Sequence, residues 1–371
     1  MGTKFFRIVC MLTLMVSAMP SLAQNQDALA KISTAVKQMD DGQYDQSEAL
    51  LQEVIALEPK NFNAWYELAY LYGLKKEHAE AMKTALKAAK LPGASDLAYQ
   101  LAGTSADYMG DPKKAVELYK QGLQKFPDSG RLLLELGNMA YNSRNFNEAL
   151  DYFEQGIAAE PAYPSNYLNA TAILQNSSDP VWGLLYGEIF MNIERSGKRT
   201  RQMSRALYDI YRAALTFGEK DGERVVEYGF TQNNQIKNEN GQLQIPFPIV
   251  YTMSMELAMP AEATAVDLAM LHELRSRFLE AFFDDSEEGT NFGYYYSNIL
   301  FDYQRKVGEA GHFEAYNYWI LGQGDQEALD AWVEGHGEQW DTFIDWFKAN
   351  PMTVNKTLFM QRHHYDHIII Q

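Results

Sequence analysis

Between residues 47 and 171 the apolar and small positions of this chain recur every 34 residues. One column holds large rings and aliphatics: Trp65, Tyr99, Leu133 and Tyr167. Others stay small, such as Ser47, Ala81, Ala115 and Ala149, or Ala69, Gly103 and Gly137. Further columns run Leu68, Ala102, Leu136, Ala170; Leu51, Ala85, Tyr119, Phe153; and Val54, Ala88, Gly122, Gly156. Such a period predicts stacked supersecondary units rather than one globular core. Thirty-four residues hold two helices of about 13 residues, each roughly 20 Å long, with two turns. The small columns predict close helix crossings, because no large side chain separates the backbones there. Pro59, Pro127 and Pro161, with Pro92 one place early, end each second helix. Asp41-Gly42, Gly110-Asp111 and Arg144-Asn145 read as the turns within units.

Downstream the 34-residue rhythm fades. Helices are expected at Val181–Ile193 and at Arg201–Phe217. Asp221 to Gly241 is polar and rich in Asn, Gln and Gly, and reads as a linker before Ile245-Pro246-Phe247-Pro248. Two apolar stripes at helical spacing follow: Leu271, Leu274, Phe278, Phe282, and then Trp340, Phe343, Ile344, Phe347, stopping at Asn350-Pro351. No alternation long enough to predict a strand is apparent. The predicted fold class is all-α: a solenoid of paired antiparallel helices followed by an aromatic-rich helical domain. The expected organisation is 1–23 leader, 24–178 repeats, 179–240 helical extension and linker, and 241–371 the carboxy-terminal domain.

The repeat resembles the tetratricopeptide repeat. Trp65, Leu68, Ala69 and Tyr72 match the family's first-helix motif, and Leu136, Gly137, Ala149, Phe153 and Pro161 match in another unit. The resemblance covers residues 30 to 162 and weakens from 163 to about 190. It implies that ligands lie on a concave face lined by first-helix positions. Carried over by spacing, these are Asn63, Tyr66 and Tyr70, then Gln100, Thr104 and Asp107, then Arg131, Leu134, Asn138 and Tyr141. Tyrosines and amides of this kind suit an extended peptide or a helix, the amides bonding its backbone and the rings covering its apolar side chains. The clustered lysines and asparagines of the family's chaperone-tail clamp are missing; Arg131 and Asn138 alone approach it. The implied role is non-catalytic: a scaffold or adaptor holding another envelope protein or peptide segment.

Lys4 and Arg7, an apolar run from Ile8 to Met19, and Ser21-Leu22-Ala23 describe a secretory leader cut after Ala23. A periplasmic or secreted location is therefore expected, with no membrane span after cleavage. The single cysteine, Cys10, lies within the leader, which removes thiol chemistry from the mature chain. The leader carries no acid, so its loss moves the formal charge from −17 to −19. That balance disfavours nucleic acid and anionic lipid surfaces.

Candidate chemistry beyond the repeats is sparse. His363, His364 and His367 cluster in the tail beside Asp366, and His363 and His367 would share a helix face at a spacing that can chelate a metal. No further ligand is identifiable, so an exposed terminal segment is favoured, and no cofactor or metal is expected. Asp284, Asp285, Glu287 and Glu288 lack the spacing of a calcium loop. His272-Glu273 opens like a zinc-protease motif, but Ser276 stands where the second histidine belongs. Arg195, Lys198, Arg199, Arg201 and Arg205 form the one dense basic cluster, read as a solvated helix start. The alternative functions are a metal-binding, enzymatic or glycan-binding carboxy-terminal module, the last built on rings such as Tyr294, Tyr295, Tyr303, Trp319 and Trp340.

Overall fold

A computed structural model describes residues 26–232, 235–239, 242–286, 289–290 and 292–365. It is nearly all helix and divides into two compact units, residues 1–139 and 140–371. The leader expected at residues 1–23 lies outside the described residues.

Paired helices follow one another from the start. α1 spans residues 26–40. Then come α2 (Tyr44–Leu57), α3 (Phe62–Leu74), α4 (His78–Ala88), α5 (Asp96–Tyr108), α6 (Pro112–Lys125), α7 (Gly130–Asn142), α8 (Phe146–Ala159) and α9 (Pro164–Leu174). Each proline of the expected column falls just past a second helix. The first helices end alike: Gly42, Lys76, Gly110 and Arg144, 34 apart, take left-handed φ values of 74°, 63°, 81° and 63°. The next residue donates its N–H to the carbonyl five places back, Gln43 to Gln38, Glu77 to Tyr72, Asp111 to Ala106 and Asn145 to Ala140, at 2.7, 2.8, 3.0 and 2.9 Å. This closure satisfies carbonyls that a helix end leaves orphaned. Four residues further on, Ser47, Ala81, Ala115 and Ala149 each donate their N–H to that same capping residue's carbonyl, and all four are fully buried. The columns are thus equivalent positions in space as well as in sequence.

The glycine columns mark where helices touch. A Cβ on Gly103 would sit 2.2 Å from the Tyr119 ring, and one on Gly122 would sit 2.6 Å from Leu132 and 2.8 Å from Tyr99. In the second unit a Cβ on Gly156 would meet Asn166 at 2.4 Å, and one on Gly187 would meet Met203 at 2.7 Å. No side chain larger than hydrogen fits such gaps without moving a packed neighbour.

The second unit is organised around α10 (Val181–Ile193). Every residue from Val181 to Asn192 is buried, the signature of a helix that is apolar on all faces and therefore central. It packs against α9, α11 (Lys198–Ala214), α12 (Phe247–Ala258) and α15 (Ile299–Glu309). α13 (Leu268–Phe282) buries the whole stripe Leu271, Leu274, Phe278, Phe282. The short α14 (Phe292–Tyr296), α16 (Phe313–Leu321), α17 (Gln326–Gly335) and α18 (Gly337–Ala349) complete it. Phe343 and Phe347 of α18 are buried, and that helix stops before Asn350-Pro351 as expected.

One expectation is corrected. The helix predicted to run to Phe217 ends at Ala214, and the following segment is a hairpin, β1 (Leu215–Lys220) paired antiparallel with β2 (Glu223–Tyr228). Asp221-Gly222, both at positive φ, form its two-residue turn. Asp-Gly flanked by Thr216-Phe217 and Val225-Val226 is a strong short-range hairpin signal, hidden by the polar residues around it. A second short pair, β3 (Lys237–Glu239) with β4 (Gln242–Gln244), precedes α12.

A charge sits inside this core. Arg275 places two guanidinium nitrogens 2.9 and 2.7 Å from the Glu188 carboxylate, and its Nε donates to Asn317 at 2.6 Å. Gln304 and Tyr316 donate to Glu188 at 2.6 and 2.9 Å, and Arg275 also reaches the Tyr211 hydroxyl. Breaking a buried pair from one side strands a charge, whereas replacing both partners with apolar groups does not.

Three outcomes are expected by thermal and chemical denaturation. Arg275→Ala loses about 3–5 kcal/mol, and Glu188→Leu/Arg275→Leu loses clearly less; equal losses would contradict this account. Gly103→Val costs about 1–3 kcal/mol through overpacking. Lys76→Gly, which relieves a left-handed lysine, gains roughly 0.5–1 kcal/mol.

Candidate functional site

In the first unit the first helices α3 and α5 pack on one another, which brings successive first-helix side chains onto one surface. Asn63 and Asp107 are exposed there. Tyr70 is 44% exposed. Tyr66 is half-buried and stacks on Phe62 with ring centroids 5.9 Å apart. Burial raises its phenol, neighbouring Glu67 adds to that, and Arg131 opposes it. Arg131 is half-buried and Leu134 buried. Tyr141 belongs to the second unit, where its exposed ring meets Phe146 edge-on at 5.3 Å.

The amides do not stand ready for a ligand backbone. Gln100 donates to Glu135 at 2.7 Å, and Asn138 donates to the other oxygen of the same carboxylate at 3.3 Å. Thr104 shares a 3.2 Å hydrogen bond with the buried Tyr119 hydroxyl. Glu135 and Glu67 lie outside the ligand positions that the family resemblance implies. The two occupy one 34-residue column, with Leu101 between them, one place beyond the column of Tyr66, Gln100 and Leu134. A carry-over restricted to the family's ligand positions passes over them; treating the helix face as a stripe about 100° wide includes them.

Glu67 has an unusual setting. It is half-buried, and burial alone raises its carboxyl above the ordinary range. Unlike Glu48, Glu58 and Glu135, each of which accepts from neighbouring side chains, it has no hydrogen-bond or ion-pair partner among the described residues.

The other candidates resolve into structural roles. Arg362 clamps the buried Glu154 carboxylate through two nitrogens at 2.6 and 2.8 Å, with Tyr186 donating to it at 2.8 Å. His363 approaches that carboxylate at 3.5 Å, while His364 meets Phe359 edge-on at 5.1 Å. The two rings are committed to different neighbours. Asp366 and His367 lie outside the described residues, as do Glu287 and Glu288, and among the described residues no three metal-ligating groups converge. Asp284 accepts the Ser286 N–H at 3.0 Å, closing a local turn.

In the basic cluster, Arg195 lies 4.1 Å over Phe347 and donates to the Phe347 and Asn350 carbonyls. Arg199 pairs with Glu194 and Ser165. Lys198, Arg201 and Arg205 remain exposed on α11.

A cavity of about 380 Å³ opens in the second unit beside Asp179, Trp182, Lys237, Phe247, Arg362 and Tyr365. Its three rings expose only 5, 1 and 8% of their surface, so they form the edge of the core rather than a stacking platform. Of the aromatics considered for glycan binding, Tyr294 is the one left largely bare, at 80%.

Glu67 yields a pH prediction. A carboxyl whose folded pKa is raised favours the folded state while protonated, and that contribution is lost as pH rises through the folded pKa. Glu67→Gln is therefore expected to melt higher than the parent at pH 7, the difference closing as pH falls below the ordinary carboxylate range. A difference independent of pH between 4 and 7 would contradict the assignment.

A sequence profile described as the tetratricopeptide repeat matches residues 25–96 and 101–166. No curated protein matches the chain in sequence. Among solved structures it is similar to PilF of Pseudomonas aeruginosa, at 16% identity and a TM-score of 0.43 over 52% of this chain and 86% of that one. It is also similar to PilW, described as a type IV pilus biogenesis factor, at 18% identity and 0.40 over 51% and 86%. A third likeness is to YrrB, described as a TPR protein with an unusual peptide-binding site, at 17% identity and 0.33 over 52% and 96%.

Proposed function

We propose that the protein, whose residues 25–96 and 101–166 match the tetratricopeptide repeat profile, is a non-catalytic scaffold that holds a peptide or helix of another envelope protein against the first helices of its repeats. The observation that carries this reading is the pair of tyrosines on α3, Tyr66 half-buried and Tyr70 44% exposed, set beside polar first-helix positions. Rings of this type cover apolar side chains while their hydroxyls stay wet, which suits a partially buried peptide. Helical solenoids present such surfaces because each repeat contacts only its neighbours and leaves one face open along the array. The amides Gln100 and Asn138 serve the reading through Glu135, whose carboxylate they hold in place.

The leader-like residues 1–23 support export, and the formal charge of −17 supports a protein partner over a nucleic-acid one. No helix among the described residues is long and apolar enough to cross a membrane.

Crosslinking of the native protein followed by mass spectrometry identifies the partner. Tyr66→Ala/Tyr70→Ala is then expected to keep native helicity and lose capture of that partner by at least tenfold, because anchoring aromatics carry a large share of interface energy. Capture that survives these changes rejects the surface.

A further inference from the structure

We propose that His272 is an acid-released latch in the second unit: its neutral ring holds α13 to α16 through Asn317, and a proton on Nδ1 breaks that hold. Hydrogen-bond direction fixes this. The Arg275 guanidinium only donates, so the Asn317 Oδ1 that lies 2.6 Å from Arg275 Nε is the acceptor. The other end of the amide, Nδ2, then faces His272 Nδ1 at 3.1 Å. An amide nitrogen donates and does not accept, so Nδ1 offers its lone pair and the ring carries its proton on Nε2. The Ser276 hydroxyl, 3.5 Å from Nδ1, gives its own proton to the His272 carbonyl at 2.9 Å.

A second proton has no place in this arrangement. On Nδ1 it would point N–H at N–H. Turning the Asn317 amide would set the same conflict against Arg275, which Glu188 holds through two nitrogens at 2.9 and 2.7 Å. Among the described residues no carboxylate bonds to His272. Glu314 of α16 accepts from Trp332 at 3.0 Å and Gln339 at 3.3 Å, and Glu273 pairs with Arg277 at 2.5 Å. α12, which also packs on α13, brings Tyr251, joined to the Tyr211 hydroxyl at 3.1 Å, and the exposed Glu256. His272 itself is half-buried. Burial lowers its pKa most; Glu314 opposes that, Arg275 adds to it and Glu273 opposes it. The hold on Asn317 is therefore present above the ordinary imidazole range and is lost as pH falls through the folded value. Since Asn317 also bonds Arg275, acid loosens one corner of the buried network and leaves the Glu188–Arg275 pair itself intact.

The test uses the full chain. Long-range proton–nitrogen NMR of the histidine rings, with His272 assigned by the signals that His272→Gln removes, is expected to show the Nε2–H form at pH 7.5 and a titration midpoint below the ordinary imidazole range. Hydrogen exchange of α13 and α16, read by mass spectrometry and corrected for intrinsic rate, is expected to lose protection in the parent between pH 7.5 and 5. His272→Gln, whose amide oxygen accepts the same bond at either pH, is expected to keep that protection. His312→Gln removes another half-buried histidine, one that lies 5.3 Å from the Trp346 ring, and is expected to respond like the parent. Asn317→Asp keeps the question open to measurement should the glutamine variant not fold. A carboxylate accepts from Arg275 and from an imidazolium alike, so one ring's midpoint is expected to move above the ordinary range. The Nδ1–H form at neutral pH, an acid response retained in His272→Gln or removed in His312→Gln, or midpoints that Asn317→Asp leaves in place would each overturn the proposal.

Discussion

Everything in this fold depends on how closely two helices can approach at a fixed rung of the repeat. Ser47, Ala81, Ala115 and Ala149 are fully buried at the same turn of their helices, and the gap at Gly103 leaves no room for a methyl group beside Tyr119. Dispersion falls steeply with separation, so the contacts around such a crossing exist only if the backbones meet. The large members of the neighbouring columns, such as Tyr119 and Phe153, then fill the space that the close approach defines. The chain has one cysteine, and that lies in the leader-like segment, so no disulfide compensates for a misplaced rung. Turns at Gly42, Lys76, Gly110 and Arg144 repeat the same left-handed closure, even where a side chain makes it unfavourable, because the spacing of the crossings requires it.

The second unit solves a different problem. α10 is buried along nearly its whole length, yet it carries Glu188, and a charge there survives only with full satisfaction. Arg275, Gln304 and Tyr316 supply it from α13, α15 and α16. Glu154 on α8 repeats the device with Arg362 and Tyr186. Such networks add little net stability over an apolar core but penalise any packing that leaves a member unpaired. Both tie together segments far apart in sequence.

Glu67 contrasts with these two glutamates. It is half-buried, burial raises its carboxyl, and among the described residues no side chain bonds to it.

The repeat, its helix boundaries and the class of the fold were legible in the chain because a 34-residue period carries its own geometry: the small residues, the proline stops and the turn residues recur where the helices cross and end. Local chemistry also held the hairpin signal at Asp221-Gly222, although the polar residues around it obscured the strands. What linear order could not carry was pairing. That Gln100 and Asn138 spend their amides on Glu135, that His363 leans toward Glu154, that Arg195 serves the end of α18, and that Glu67 is left without a donor are all outcomes of distances between helices. Those distances are set by the packing of many side chains at once, and a carboxylate is bonded or unbonded only after they are known.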